Sequence, residues 1–258
     1  MNAILDHVPP LLLVVSRLGG LTIYAPVFGA AVIPARVKVF LVFTVGFAIY
    51  PVLAAEPGVG LPVELNLWLL GPMMATELLI GLLVGFLASL PLVAAQTGGL
   101  LMGMQMGLGF ARFYNPAIDD EADIVGQILF FMALSGFLMI GGHEAMLMAV
   151  MDSFRHIAIG GFVADVDLVA LITGMLVSAF ELALRVAAPV LALVFLQSAA
   201  MGFIARTVPQ MNILSLGFPI RILAGLVMMA LGLVVLDNVI MDGIDQSLAV
   251  LFEWIESQ

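Results

Sequence analysis

Apolar residues in this chain fall in long, nearly unbroken runs rather than in strict alternation. Val37–Ala55, Leu67–Ala95, Ile124–Gly142, Leu168–Ala205 and Ile213–Leu236 each reach or approach the roughly 20 apolar residues that cross a bilayer as a helix. Leu11–Tyr24, Gly98–Ala111 and Glu144–Val163 are shorter apolar pieces. The runs are rich in Leu, Ala, Met and Gly, and a backbone in lipid must satisfy its own hydrogen bonds, so helices are expected and strands are not. The pattern predicts an all-α fold of about six to eight helices. Pro72, Pro91, Pro189 and Pro219 fall inside or at the start of these runs and predict broken helices. Loops are expected where Pro, Gly and acid gather, at Glu56–Pro62, Tyr114–Asp123 and Gly160–Asp167.

Composition sharpens the class. Apolar residues make up 63% of the chain and charged residues 10%, against about 45–50% and about 25% in soluble domains. So little charge cannot cover a surface in water, which puts the chain in lipid or deep inside an assembly. The absence of cysteine excludes disulfides and cysteine-ligated metals. A net charge of −10 with no basic cluster argues against nucleic acid. The start, MNAILDHVPP, has no Lys or Arg ahead of its apolar run. It is a poor signal peptide and is expected to stay in the mature chain.

The few ionisable groups sit in unusual places. Arg17, Arg185, Arg221, Glu77 and Glu181 lie within or beside apolar runs, so loop charge does not set an orientation. Glu181 and Arg185, four apart, share a helix face and are expected to pair. Glycines repeat every four residues at Gly99, Gly103 and Gly107, and again at Gly81 and Gly85 in a stripe running from Glu77 to Ser89. Such stripes let helices approach closely, either within the chain or at a subunit interface. Together these features predict helices that face other protein more than lipid. Of the 17 methionines, Met102, Met104 and Met106 precede a mixed loop. Methionine packs irregular gaps, so these three are expected either as core filling or as a compliant seal.

Enzyme signals are weak. HEAML at His143–Leu147 has Leu147 where a zinc-protease pattern needs its second histidine. Ser135 lacks the glycines of a nucleophile elbow, and no glycine loop ends in Lys-Ser or Lys-Thr. His7, His143 and His156 are expected at helix ends or in loops, and no catalytic residue, metal or cofactor is assigned. An ion or small-molecule transporter using Glu77 and Glu181 is the alternative to a non-catalytic role, and no inverted repeat supports it.

Two stretches carry a family likeness: QTGGLLMGMQMGLGFARFYNP at Gln96–Pro116 and RTVPQMNILSLGFPIRILAGL at Arg206–Leu226. With SRLGGLTIYAPVFGAAVIPARVKVFL (Ser16–Leu41) and ELLIGLLVG (Glu77–Gly85), the chain resembles the FliR family of flagellar export proteins. The relatives of that family in virulence-type injectisomes are SpaR, YscT and EscT. The resemblance implies a subunit of the type III export gate in the bacterial inner membrane at the flagellar basal body, part of it at periplasmic height. Implied partners are FliP and FliQ, then FlhB and FlhA, with unfolded secreted proteins as substrates. It implies tilted helical hairpins, FliP-like over residues 1–165 and FliQ-like over 166–258. It also implies that the loop after the glycine-rich helix plugs the conduit, through Gly107, Gly109, Phe110, Ala111, Arg112, Phe113, Tyr114, Asn115 and Pro116. Met102, Met104 and Met106 become gasket candidates. Glu77, Glu181, Arg185, Arg206 and Arg221 become structural or interface charges. Asn115 stands where many relatives carry Asp, and either residue starts a turn before proline.

Overall fold

The computed structural model describes residues 7–55, 67–108, 123–161, 166–207 and 213–258. These residues form seven helices and, among them, no strand: α1 Val8–Tyr24, α2 Ala35–Ala55, α3 Leu67–Met106, α4 Ile124–Met139, α5 Gly142–His156, α6 Val166–Thr207 and α7 Ile213–Glu256. Four of them are long and apolar enough to cross a membrane, or five spans if α4 and α5 are taken as one span broken at Ile140–Gly141. Gly141 takes a left-handed conformation there (φ 77°), which lets the chain turn into α5.

Two expectations about breaks are corrected. Leu67–Ala95 and Gly98–Ala111, read as separate pieces, belong to one 40-residue helix as far as Met106. Gly98 and Gly99 serve contact rather than interruption. A Cβ on Gly98 would lie 2.8 Å from the Ala183 carbonyl oxygen, and one on Gly99 would lie 2.5 Å from the Gly126 Cα. The second correction concerns proline. Pro51, Pro72, Pro91, Pro189 and Pro219 all sit inside helices that continue through them. In membrane-type helices, local adjustment and neighbouring groups re-satisfy the backbone carbonyls that a proline frees, so the helix continues. At the other end, α7 runs 20 residues past Leu236, where the apolar run stops. Its continuation is amphipathic, burying Ile240, Ile244, Leu251 and Ile255 at helical spacing.

The chain packs as two compact units. One contains Met1–Leu90, Leu138–Met175 and Asp245–Gln258; the other contains Pro91–Phe137 and Leu176–Ile244. In the first, Leu13, Leu21, Ile80, Leu87, Phe154 and Ile255 are fully buried or nearly so. Residue order at the contacts shows α1 and α3 parallel: Arg17 meets Gly81, and Leu21 and Ala25 meet Gly85. In the second unit, Leu92, Met102, Met106, Leu129, Val186 and Ile240 form the buried centre.

Candidate functional site

The most enclosed polar feature is an arginine–glutamate junction in the first unit. Arg17 on α1 and Glu77 on α3 are 60 residues apart in sequence, and both side chains are 0% exposed. Arg17 Nε donates to Glu77 Oε2 at 2.6 Å. The other carboxylate oxygen, Oε1, accepts the backbone N–H of Gly160 at 2.8 Å. Arg17 Nη1 donates to Ser153 Oγ on α5 at 2.9 Å, and Nη2 reaches the Ile157 carbonyl at 3.5 Å. The Ser153 hydroxyl in turn donates to the Val150 carbonyl. The guanidinium also lies 3.9 Å over the Phe154 ring, a cation–π contact. One buried pair therefore ties together α1, α3, α5 and the turn after α5.

Such a pair is stable only because its remaining donors and acceptors are met, since burying two charges costs several kcal/mol per ion. Both Glu77 oxygens are committed. Glu77 therefore does not present a free carboxylate to an aqueous path, as a transport role would need. The Arg17–Glu77 pairing and the parts of Ser153, Phe154 and Gly160 are not legible by helical spacing. The available signal was the presence of one lone cation and one lone anion in separate apolar runs, since each needs a counter-charge at depth.

The junction requires close backbone approach. A Cβ on Gly81 would fall on the Arg17 carbonyl oxygen, and one on Gly20 would fall on the Leu78 carbonyl oxygen. At Gly85 the limit is the Leu21 carbonyl oxygen, 2.7 Å away. The stripe Glu77–Gly81–Gly85 is thus the face of α3 that meets α1. Ser89, next in the stripe, bonds its own helix at the Phe86 carbonyl. The second stripe behaves unevenly. Gly99 meets α4 at Gly126, whereas a Cβ on Gly103 would reach Val125 only at 3.8 Å, an ordinary contact.

The plug candidates Gly109, Phe110, Ala111, Arg112, Phe113, Tyr114, Asn115 and Pro116 lie outside the described residues. The stems on either side are described, and both lie in the second unit. α3 leaves its last turn at Gly107, whose φ of 87° favours glycine, and a Cβ there would lie 2.7 Å from the Phe218 ring of α7. On the other side Asp123 caps α4, its Oδ1 accepting the Gly126 N–H at 2.9 Å. Gly126 leaves room for that carboxylate, which a Cβ would strike. Met102 and Met106 are fully buried, the Met106 thioether seated on Gly225, while Met104 is 63% exposed.

The remaining charges are dispersed. Glu181 and Arg185 pair at 2.6 Å on an exposed face of α6. Arg206 is exposed in the last turn of α6, where a cation suits the helix dipole. Arg221 on α7 donates to Ser198 Oγ on α6 at 3.0 Å. The histidines all lie at helix ends: His7 beside Tyr50 before α1, and His143 and His156 in the first and last turns of α5. Among the described residues no three His, Asp or Glu side chains gather as a metal site.

Large apolar side chains stay uncovered, among them Phe40, Phe131, Phe180, Phe195, Phe203 and Leu231. With spans of this length, uncovered apolar side chains and the Arg17–Glu77 pair turned inward, the fold and junction define an all-helical membrane protein. Residues 8–247 match the family model described as bacterial export proteins, family 1, and the chain belongs to that family. Among curated proteins it is similar to the flagellar biosynthetic protein FliR of Bacillus subtilis (strain 168), 30% identical over 89% of this chain and 88% of that one. To the protein of the same name from Escherichia coli (strain K12) it is 32% identical, over 80% of this chain and 77% of that one. A likeness also extends to Yop proteins translocation protein T of Yersinia pestis, at 26% identity over 70% and 69% of the two chains.

Proposed function

We propose that this chain is the FliR-type subunit of a type III export gate in the bacterial inner membrane. In this reading it passes unfolded flagellar proteins and carries no catalytic chemistry of its own. Family membership supports the export role. The observation that carries the assembly role is a charged pair standing on an uncovered apolar face. On α6 Glu181 and Arg185 are exposed beside Phe180 and Leu184, which are exposed too. Ionisable groups at membrane depth face protein or water rather than lipid. Lipid alone does not suit such a face; sister subunits do. By the family resemblance these are FliP- and FliQ-type chains, with FlhB and FlhA associated, residues 1–165 being FliP-like and 166–258 FliQ-like.

Within that gate, Gly107 and Gly109–Pro116 serve as the plug. Deleting Gly109–Asn115 is expected to raise ion leakage across the inner membrane of cells carrying the assembled gate. Leakage equal to wild type rules the plug out. The methionines divide by exposure. Met104→Ala is expected to increase leakage and leave the melting temperature of the chain unchanged. Met106→Ala removes buried packing against Gly225 and is expected to destabilise by about 2–5 kcal/mol. Equal effects of the two changes on leakage and melting would remove Met104 from the seal.

A further inference from the structure

Among the described residues, Arg221 is a cation without an anion. It sits in α7, four residues after Gly217, half-buried against α6. Its one hydrogen bond among the described residues goes to a neutral hydroxyl, Ser198 Oγ at 3.0 Å. Its Nε is buried and meets no acceptor. No ion pair to Arg221 exists among the described residues, although Arg17, Arg155 and Arg185 each have a carboxylate. The surroundings are apolar and uncovered: Phe195 and Leu196 on α6, and Ile220 and Leu223 on α7, are all exposed. A lone guanidinium in such a place is costly unless a counter-charge reaches it.

We infer that Arg221, oriented by Ser198, receives a carboxylate from a helix of a neighbouring gate subunit. Three observations favour this occupant. No described acid meets the guanidinium's outer nitrogens, and a carboxylate matches its fork in two parallel hydrogen bonds. The flanking Phe195, Leu196, Ile220 and Leu223 offer apolar cover to a helix carrying that carboxylate. The uncovered face of α6 also carries the exposed Glu181–Arg185 pair among apolar residues, so protein rather than lipid suits part of it. Ser198 is a positioning residue here. Its hydroxyl holds one Nη and accepts that donor, while its own proton goes to the Val194 carbonyl at 2.8 Å.

The inference rests on the gate reading, and the test separates the two. The full chain is co-expressed with the FliP- and FliQ-type subunits and purified in mild detergent. Arg221→Met is expected to lower recovery of the complex at least about tenfold, as for a truncated interfacial charge pair. Arg221→Lys should retain most of it, and the melting temperature of the isolated chain should be unchanged by either substitution. Arg221→Glu should also lose the complex and regain it when one partner-helix carboxylate is changed to Arg. Wild-type recovery with Arg221→Met overturns the inference alone. So does loss of bound phospholipid in native mass spectrometry with the subunits intact, and so does an equal loss of stability in the isolated chain. Failure of the wild-type chain to assemble with either subunit overturns the gate reading as well.

Discussion

Changing Glu77 to alanine is expected to destabilise the detergent-solubilised chain by about 3–5 kcal/mol, the range for removing one member of a buried ion pair. The loss has three parts. Arg17 is left as a fully buried cation with only Ser153, the Ile157 carbonyl and the Phe154 ring around it. The Gly160 N–H loses its acceptor, so the turn after α5 loses its tie to α3. A void opens beside Ile80 and the α1 crossing. Glu77→Gln keeps the shape and can still accept from Gly160, but removes the counter-charge, so most of the destabilisation should remain.

The informative comparison is the double change Arg17→Met with Glu77→Leu. Replacing both charges by apolar groups of similar volume is often neutral or stabilising, whereas breaking the pair is not. The double variant should therefore melt within a few degrees of wild type, with a large coupling energy between the two sites. The measurement is thermal unfolding of all four proteins in one detergent. A Glu77→Ala cost under about 1 kcal/mol, or additive single effects, would mean that the junction does not hold the fold. If the double variant is stable but export-deficient, the pair is kept for gating rather than for stability.

The fold class was legible because it depends on bulk quantities: apolar runs of membrane length and a near absence of charge. Element limits were less so, for identifiable reasons. Gln96 and Thr97 interrupt the apolar run, yet Gly98 and Gly99 just beyond them are held inside α3 by close contact with Ala183 and Gly126. The last 20 residues of α7 do not read as a span because Asp237, Asp242 and Asp245 interrupt the apolar run; the amphipathic period carries the signal instead. Pairing by spacing found Glu181–Arg185, which is exposed, and had no means of finding Arg17–Glu77, which is buried. Helical periodicity links residues three or four apart, and only tertiary packing links positions 17 and 77. The plug residues Gly109–Pro116 lie outside the described residues, while their two stems, Gly107 and Asp123, show their own conformational reasons for being glycine and aspartate.

Gly81→Ala and Gly103→Ala are expected to act in opposite directions, although both positions sit in four-residue stripes that look alike in sequence. At Gly81 the added methyl would occupy the position of the Arg17 carbonyl oxygen. Backbone cannot rotate away as a side chain can, so α1 must lift from α3. Overpacking of this kind costs about 1–3 kcal/mol and sometimes more. Here the lift also stretches the Arg17–Glu77 contact one turn away, adding part of the cost of the broken pair. At Gly103 the same methyl meets Val125 at 3.8 Å, ordinary van der Waals distance. With no clash, the gain in helix propensity of about 0.5–1 kcal/mol should dominate, and the variant should be slightly more stable. Gly71→Ala, with open space around its position, serves as the propensity control. Melting temperatures ordered Gly103→Ala and Gly71→Ala above wild type and Gly81→Ala well below it would establish the α1–α3 crossing as the tight point of the first unit. If Gly81→Ala instead matches the other two, the helices have room to separate, and the stripe is spacing without contact.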